Sequence, residues 1–139
     1  MKKIIATFVF SLFVFSCTTS TITSFDQVQK VILENQWLLQ DENGTVLSFN
    51  NSPVDLSFSK EDQLKAHGFS GCNRFFTNAT LTAEKIQFGQ MGATMMACPE
   101  METEQTYLSL LAMVDNYEVS GKELKLFQGK VLLLRFLAK

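Results

Sequence analysis

The strongest constraint on the fold is an alternation of apolar and polar residues in short stretches. Val54, Leu56 and Phe58 are separated from one another by single polar residues. A period of two is typical of a β-strand that is buried on one face and exposed on the other. The sequence therefore predicts a half-buried strand here.

Other short stretches have the composition of strands and are bounded by turn residues. They cover residues 36–40, 63–68, 78–82, 85–88, 116–120, 123–127 and 130–136. The Asn43-Gly44 pair favours a tight hairpin. Gly121 and Gly129 separate the last three stretches, which indicates a β-meander.

A single stretch has a clear helical pattern. Its apolar residues follow the spacing i, i+3, i+4, i+7 and are Tyr107, Leu110, Leu111 and Val114. Pro99 suits a first helical turn, and the acidic residues Glu100, Glu102 and Glu104 favour the positive end of a helix. We predict a helix over about residues 99–115 and a mainly β (α+β) fold, in which this helix closes a small antiparallel barrel-like sheet.

Length and charge narrow the class of protein. The chain has 139 residues, which corresponds to one domain besides a short leader. Its formal net charge is −2, and the basic residues form no stripe. Nucleic-acid binding requires a concentrated basic surface, so the sequence argues against a nucleic-acid partner.

The beginning of the chain has the pattern of an export signal. Lys2 and Lys3 precede an apolar run of twelve residues, 4–15, which is too short to span a bilayer. Val14-Phe15-Ser16-Cys17 then resembles a bacterial lipobox. We predict a signal peptide over residues 1–16 and a lipid on Cys17. The alternative is an ordinary secretory peptide with an incidental cysteine.

The predicted lipid places the protein in the bacterial envelope, on the outer membrane or the periplasmic face of a membrane. Residues 17–34 form the predicted anchor and tether, because 18–24 are polar and resemble a flexible spacer. Within that segment, residues 25–33 have an apolar pattern that fits a short helix or a lead-in strand. The globular domain is predicted to cover residues 35–139.

Two motifs carry a family resemblance. The first is Ser70-Gly71-Cys72-Asn73-Arg74-Phe75-Phe76, and the second is Thr94-Met95-Met96-Ala97-Cys98-Pro99-Glu100. Together with Trp37-Leu38-Leu39 and a closing Leu-Leu-Arg-Phe strand, they resemble the META-domain family, also called HslJ-like, over residues 35–137. One departure is Thr77-Asn78, where members often have a glycine.

The resemblance implies a small bacterial envelope protein, often lipid-anchored, with an association with heat shock, drug tolerance, motility or secretion. It implies a mainly antiparallel barrel-like fold with one helix. It supplies no enzymatic activity, cofactor or metal. The family-motif residues Asn73, Arg74 and Glu104 are candidates for a structural or binding role, and we expect an ion pair between Arg74 and Glu104.

Cys72 and Cys98 remain once Cys17 is assigned to the lipid. Because the envelope is an oxidising compartment, we predict a disulfide between them. The alternative is two buried free thiols that pack as small apolar groups.

Two catalytic or metal-binding alternatives start from the same cysteines. A thiol enzyme would use His67, the only histidine, as its base, but an exposed strand residue is the simpler interpretation. A Cu(I) site would draw on methionines near Cys98, namely Met91, Met95, Met96 and Met101, although methionine is also an ordinary core residue.

The sequence thus predicts a non-enzymatic envelope lipoprotein that binds or stabilises an envelope protein or a small ligand, in connection with stress. The competing hypotheses are a small thiol, redox or hydrolytic enzyme and a ligand-binding barrel. A ligand-binding barrel would require a sizeable interior cavity.

Overall fold

The structure, a computed structural model, describes residues 24–99 and 101–139. The predicted signal peptide, Cys17 and the first part of the predicted tether lie outside the described residues, as does Glu100. The described part contains two helices and eleven strands: α1 (Phe25–Glu34), β1 (Trp37–Gln40), β2 (Ser48–Phe49), β3 (Ser52–Pro53), β4 (Asp55–Lys60), β5 (Leu64–Phe69), β6 (Arg74–Leu81), β7 (Ile86–Phe88), β8 (Gly92–Ala93), α2 (Met101–Met113), β9 (Asn116–Ser120), β10 (Glu123–Gln128) and β11 (Val131–Ala138).

Nine of the strands form one antiparallel sheet that curls into a nearly closed barrel. The strand order is β7-β6-β5-β4-β1-β11-β10-β9, with β8 added beside β6, while β2 and β3 form a separate hairpin. The two ends of the sheet approach each other, because the Tyr117 hydroxyl on β9 donates a hydrogen bond to the carbonyl of Thr82, which follows β6 (2.9 Å). The predicted barrel-like sheet is confirmed.

The inside of the barrel is filled by side chains. The largest fully buried ones are aromatic or aliphatic and come from strands on opposite sides, among them Trp37, Leu56, Phe75 and Phe136. Tyr107 of α2 joins them, with its ring edge-on to Phe75 at a centroid distance of 5.7 Å. Because of this close packing, the protein's own side chains fill the barrel interior.

The predicted alternation and the meander are both present. Val54, Leu56 and Phe58 are buried in and beside β4. The last three strands pair as consecutive antiparallel neighbours. Gly121 and Gly129 have φ values of +58° and +57° in the two connecting turns, a conformation that glycine adopts without strain.

The structure contains the tight turn predicted at Asn43-Gly44 and a second tight hairpin that the sequence analysis did not predict. Gly44 does turn the chain, and the Asp41 carboxylate accepts hydrogen bonds from the backbone of Asn43 and Thr45. A second tight hairpin joins β2 to β3 through Asn50 and Asn51, both with positive φ (49° and 62°). Asparagine tolerates this conformation better than most residues, and the pair suits a two-residue turn.

Helix α1 changes the predicted domain boundary. It begins after Ser24, whose hydroxyl accepts a hydrogen bond from the backbone of Gln27, and its apolar side packs on β4. Ile32 is fully buried, and its carbonyl accepts a hydrogen bond from the indole of Trp37 (3.1 Å). Phe25–Glu34 is therefore a packed part of the domain and not a flexible tether, because burial of its apolar side compensates for the cost of ordering it.

Helix α2 occupies the predicted position and covers the barrel. It begins and ends within two residues of the predicted limits. Tyr107, Leu111 and Val114 are buried, as the spacing predicted, and Leu110 is partly buried. In the described part of the chain, neither helix is long and apolar enough to cross a membrane.

Candidate functional site

The first motif forms a tight turn between β5 and β6. The Ser70 backbone N–H donates to the carbonyl of Asn73 (2.8 Å), and Gly71 between them has a φ of +113°. A Cβ on Gly71 would also come within 3.2 Å of the Phe49 ring. The turn needs glycine for both reasons, and it presents Cys72 and Asn73 to helix α2.

Glu104 of α2 receives the polar groups of this turn. Its Oε2 accepts from the Ser70 hydroxyl and from the Asn73 backbone N–H, both at 2.6 Å. Its Oε1 accepts from the Asn73 side-chain amide at 2.8 Å. All three residues are buried. We call Ser70, Asn73 and Glu104 the Glu104 cluster.

The Glu104 carboxylate is stabilised in its ionised form. Burial by itself raises the pKa, but hydrogen bonds from the side chains of Ser70 and Asn73 and from the backbone of Asn73 and Cys72 outweigh it. The pKa of Glu104 is therefore lowered below its ordinary value of 4.5. A carboxylate held in this state by fixed donors is a structural anion, and its acceptor positions face groups of its own chain.

Asn73 also holds the segment before α2. Its Oδ1 accepts from the Thr94 hydroxyl (2.8 Å) and the Met96 backbone N–H (2.7 Å). Its Nδ2 donates to the Met96 carbonyl (3.2 Å) as well as to Glu104. The amide is thus used at both ends, and it joins the two sequence motifs across more than twenty residues.

The predicted disulfide between Cys72 and Cys98 is present. The two Cα atoms lie 5.9 Å apart, and the bridge closes a loop with a sequence separation of 26. Cys72 is buried next to Asn73. The covalent bridge and the Asn73 hydrogen bonds therefore fix the same loop, residues 94–98, to the same turn.

The expected ion pair between Arg74 and Glu104 is wrong. Arg74 is exposed and no ion pair joins it to Glu104 in the described structure, where the carboxylate is bound by Ser70 and Asn73. The reason is the alternation at the start of β6: Asn73 and Phe75 face inward, so Arg74 must face outward. The connection between the motifs passes through the amide of Asn73.

The structure places the other sequence candidates apart from these groups or in bonds that occupy them. His67 is a half-buried residue of β5 whose neighbours across the sheet are Ser57 and Phe76. Cys98, the centre of the hypothetical copper site, is bonded to Cys72, and Met95 points fully into solvent (99 % exposed). In the described residues no three His, Cys, Asp or Glu side chains are grouped to hold a metal.

Sequence reasoning missed that large side chains near the cluster are exposed. They are Arg74 and Phe76 of β6 and Met95 and Met96 of the loop after β8, which we call the loop patch; Phe76 is 62 % exposed and Met96 55 %. The Phe76 ring lies over Gly92, where a Cβ would approach it to 2.5 Å. The methionine run was the available signal, but in sequence it is indistinguishable from core methionine.

Fold and site together define a class of protein: a small antiparallel barrel closed by a helix, in which a buried glutamate and a disulfide fix the loop before that helix. The sequence model of the META domain matches residues 29–139, and the chain belongs to that family. The match begins inside α1, in agreement with its packing on the barrel.

Two solved structures are similar to the chain. One is described as the NMR structure of a protein from Burkholderia xenovorans; it has 28% sequence identity and a TM-score of 0.63, covering 81% of this chain and 86% of the other. A second NMR structure has 21% identity and a TM-score of 0.60, covering 78% of this chain and 92% of the other, and supports the fold alone. A search of curated proteins gives no significant match.

Proposed function

We propose that this protein is a non-enzymatic binding module of the bacterial envelope, held at a membrane through Cys17, which binds a protein partner through the loop patch. The observation that carries the proposal is the exposure of large apolar side chains on a loop that is fixed at several points. The lipid anchor and a role in stress are proposed from the export signal and the family resemblance.

The rigidity of the loop supports a binding role. Thr94 donates its backbone N–H to the Arg74 carbonyl (3.0 Å), Met96 is held by Asn73, and Cys98 is bonded to Cys72. Met95 lies between the first two of these attachments, yet its side chain is almost completely exposed. A surface ordered before binding loses less conformational entropy when a partner arrives.

The composition of the patch supports a protein partner. Aromatic residues, methionine and arginine are enriched in the centres of protein interfaces, and exposed apolar groups in one place indicate an interaction surface. Methionine adapts its shape to a partner at little cost. The guanidinium of Arg74, which makes no ion pair with the described residues, is available to a carboxylate or a backbone carbonyl of the partner.

The chemistry of the buried groups supports a non-enzymatic role. The carboxylate of Glu104 and both ends of the Asn73 amide are occupied by groups of the same chain. A nucleophilic thiol at Cys72 or Cys98 would first require reduction of the bridge between them. These residues have the arrangement expected of a support for the loop.

Crosslinking in intact cells tests the proposal. A photoreactive amino acid replaces Ala97, an exposed residue between Met96 and Cys98, in the full chain. Irradiation should give a discrete crosslinked partner. The double variant Phe76→Ser and Met95→Ser should lose that partner, while Cys17→Ala should release the protein from the membrane fraction and change or abolish the crosslink.

The matched control is Val131→Ser, which removes a similarly exposed apolar side chain (63 %) from the first residue of β11. This variant should keep the crosslinked partner. The binding proposal is wrong if the patch variant and the control give the same crosslinks, and the membrane proposal is wrong if wild type and Cys17→Ala fractionate alike.

A further inference from the structure

A cleft of about 350 Å³ lies between helix α2 and strands β1 and β11. Most of its wall is apolar and is formed by Leu39, Leu47, Tyr107, Leu110, Leu133 and Leu134. Its volume lies at the small end of the range of pockets that bind small molecules. The cleft has two charged residues, Arg135 and Glu102.

Arg135 is the anomalous residue of this cleft. It lies in β11 opposite Gln40 of β1, and its Nε is buried without a hydrogen-bond partner. Its side chain makes no hydrogen bond or ion pair with any other residue that the structure describes. Buried donors are paired in almost all native structures, so an unpaired one is a candidate for contact with a bound group.

We propose that the cleft binds a single-chain monocarboxylate, with its acyl chain among the leucines and its carboxylate on the guanidinium of Arg135. The planar donor fork of arginine matches the two oxygens of a carboxylate. The apolar wall provides a place for a hydrocarbon tail, since removal of each methylene from water favours binding. A single ligand would thus accept a hydrogen bond from the Nε of Arg135 and also fill the cleft.

Glu102 restricts the head group. It is an exposed residue in the first turn of α2, and it lines the same cleft. A head group with a single negative charge is balanced by Arg135 alone, whereas a doubly charged phosphate would leave an excess of negative charge beside Glu102. The pair of charges therefore favours a carboxylate over a phosphate.

The cleft and the loop patch are separate features. None of the residues that line the cleft belongs to the loop patch or to the Glu104 cluster. The two proposals therefore rest on different residues, and either can fail without the other.

Titration of the purified full chain with decanoate, followed by NMR of the arginine Nε–Hε groups, tests the inference directly. The Arg135 signal should shift in a saturable way, and that of Arg74 should not. Arg135→Gln should weaken decanoate binding by about ten- to a hundredfold, as expected for loss of a charge-assisted hydrogen bond. Arg74→Gln, the matched control on the exposed face of β6, should bind decanoate as the wild type does.

A second variant guards against failure of Arg135→Gln to fold. Thr106 is an exposed helix residue that lines the cleft, so Thr106→Trp should block it while leaving Arg135 in place. This variant should also lose decanoate binding. Glu102→Gln should retain or tighten it by about twofold, because it removes a partly screened repulsion.

Three results would overturn the proposal. The first is the absence of a saturable Arg135 shift with decanoate at millimolar concentration. The second is equal or tighter binding of decanol, decyltrimethylammonium or decyl phosphate, which would refute the carboxylate head group. The third is an equal loss of stability in Arg135→Gln and Glu102→Gln, which would identify Glu102 as the internal partner of Arg135.

Discussion

Glu104 and Asn73 are joined by two hydrogen bonds, one from the backbone N–H of Asn73 to Oε2 (2.6 Å) and one from its side-chain amide to Oε1 (2.8 Å). The two oxygens of the Glu104 carboxylate therefore accept one hydrogen bond each from Asn73, one from its backbone and one from its side chain. This relationship fixes the start of β6 against helix α2. The far end of the same amide fixes Met96, so the geometry of the exposed loop depends on a buried carboxylate.

Glu104→Gln should destabilise the protein by about 2–4 kcal/mol. The glutamine NH₂ replaces an acceptor and must face either the backbone N–H or the side-chain amide of Asn73, which are both donors. Urea denaturation followed by fluorescence of Trp37, the only tryptophan and fully buried, measures the loss. Glu102→Gln, on the exposed side of the same helix, should stay within about 0.5 kcal/mol of wild type.

The stability of the protein should decrease at acid pH in part through Glu104. Because the pKa of Glu104 is lower in the folded protein than its ordinary value of 4.5, folding favours the ionised form. The corresponding stability is complete above that value and is lost as the pH falls through the folded pKa. A carboxyl ¹³C titration of the folded protein should give a midpoint below 4.5, and a midpoint at or above 4.5 would contradict the assignment.

The meander and the helix could be predicted from the sequence because simple periodicity controls both. Apolar residues alternate in the last strands, glycines mark the turns, and α2 keeps its helical spacing. The start of β6 escaped prediction because its inward positions include the polar residues Asn73 and Thr77, which interrupt the apolar alternation. The type of a polar residue does not show whether it is buried, because burial depends on the hydrogen-bond partners that the fold supplies.

The residues of the candidate site were predicted from the sequence, but the hydrogen bonds between them were not. Asn73, Arg74 and Glu104 stand out as motif residues, yet charge pairing favoured Arg74 as the partner of Glu104, whereas strand alternation places Asn73 there. Arg135 belongs to the closing Leu-Leu-Arg-Phe strand of the resemblance but was not singled out, because an arginine between Leu134 and Phe136 resembles an ordinary outward-facing strand residue. Its significance depends on the cleft, which forms only when α2 packs beside β1 and β11.

Opening the disulfide should cost about 3–4 kcal/mol, as the chain-entropy model gives for a loop of this length. Replacing Cys72 and Cys98 with serine should lower the urea midpoint by a corresponding amount. Any partner binding should survive in the molecules that remain folded. Loss of function in a fully stable double variant would instead indicate redox or thiol chemistry. Alkylation of the mature domain without reductant should label neither cysteine.

Gly68→Ala should destabilise the protein by about 3 kcal/mol or more. A Cβ at Gly68 would lie 2.1 Å from the Asp55 carbonyl oxygen, a backbone atom that also accepts a hydrogen bond from Tyr107. Neither strand can move aside without disturbing that contact. Gly89→Ala is the matched control, because its nearest neighbour would be 3.3 Å away, and it should cost less than about 1 kcal/mol. Equal urea midpoints for the two variants would contradict the close approach of β4 and β5 at Gly68.

Ile32→Ala tests whether α1 belongs to the folded domain. Ile32 is fully buried and its carbonyl binds the Trp37 indole, so truncation should cost about 2–5 kcal/mol and disturb the tryptophan environment. Lys30→Ala, an exposed change on the same helix, removes only a surface ion pair with Glu34 and should cost at most about 0.5 kcal/mol. If both variants unfold at the same urea concentration as wild type, α1 is dispensable and the domain begins near residue 35. If Ile32→Ala alone is destabilised, the packed domain includes α1, and only the residues before it are left to act as a tether.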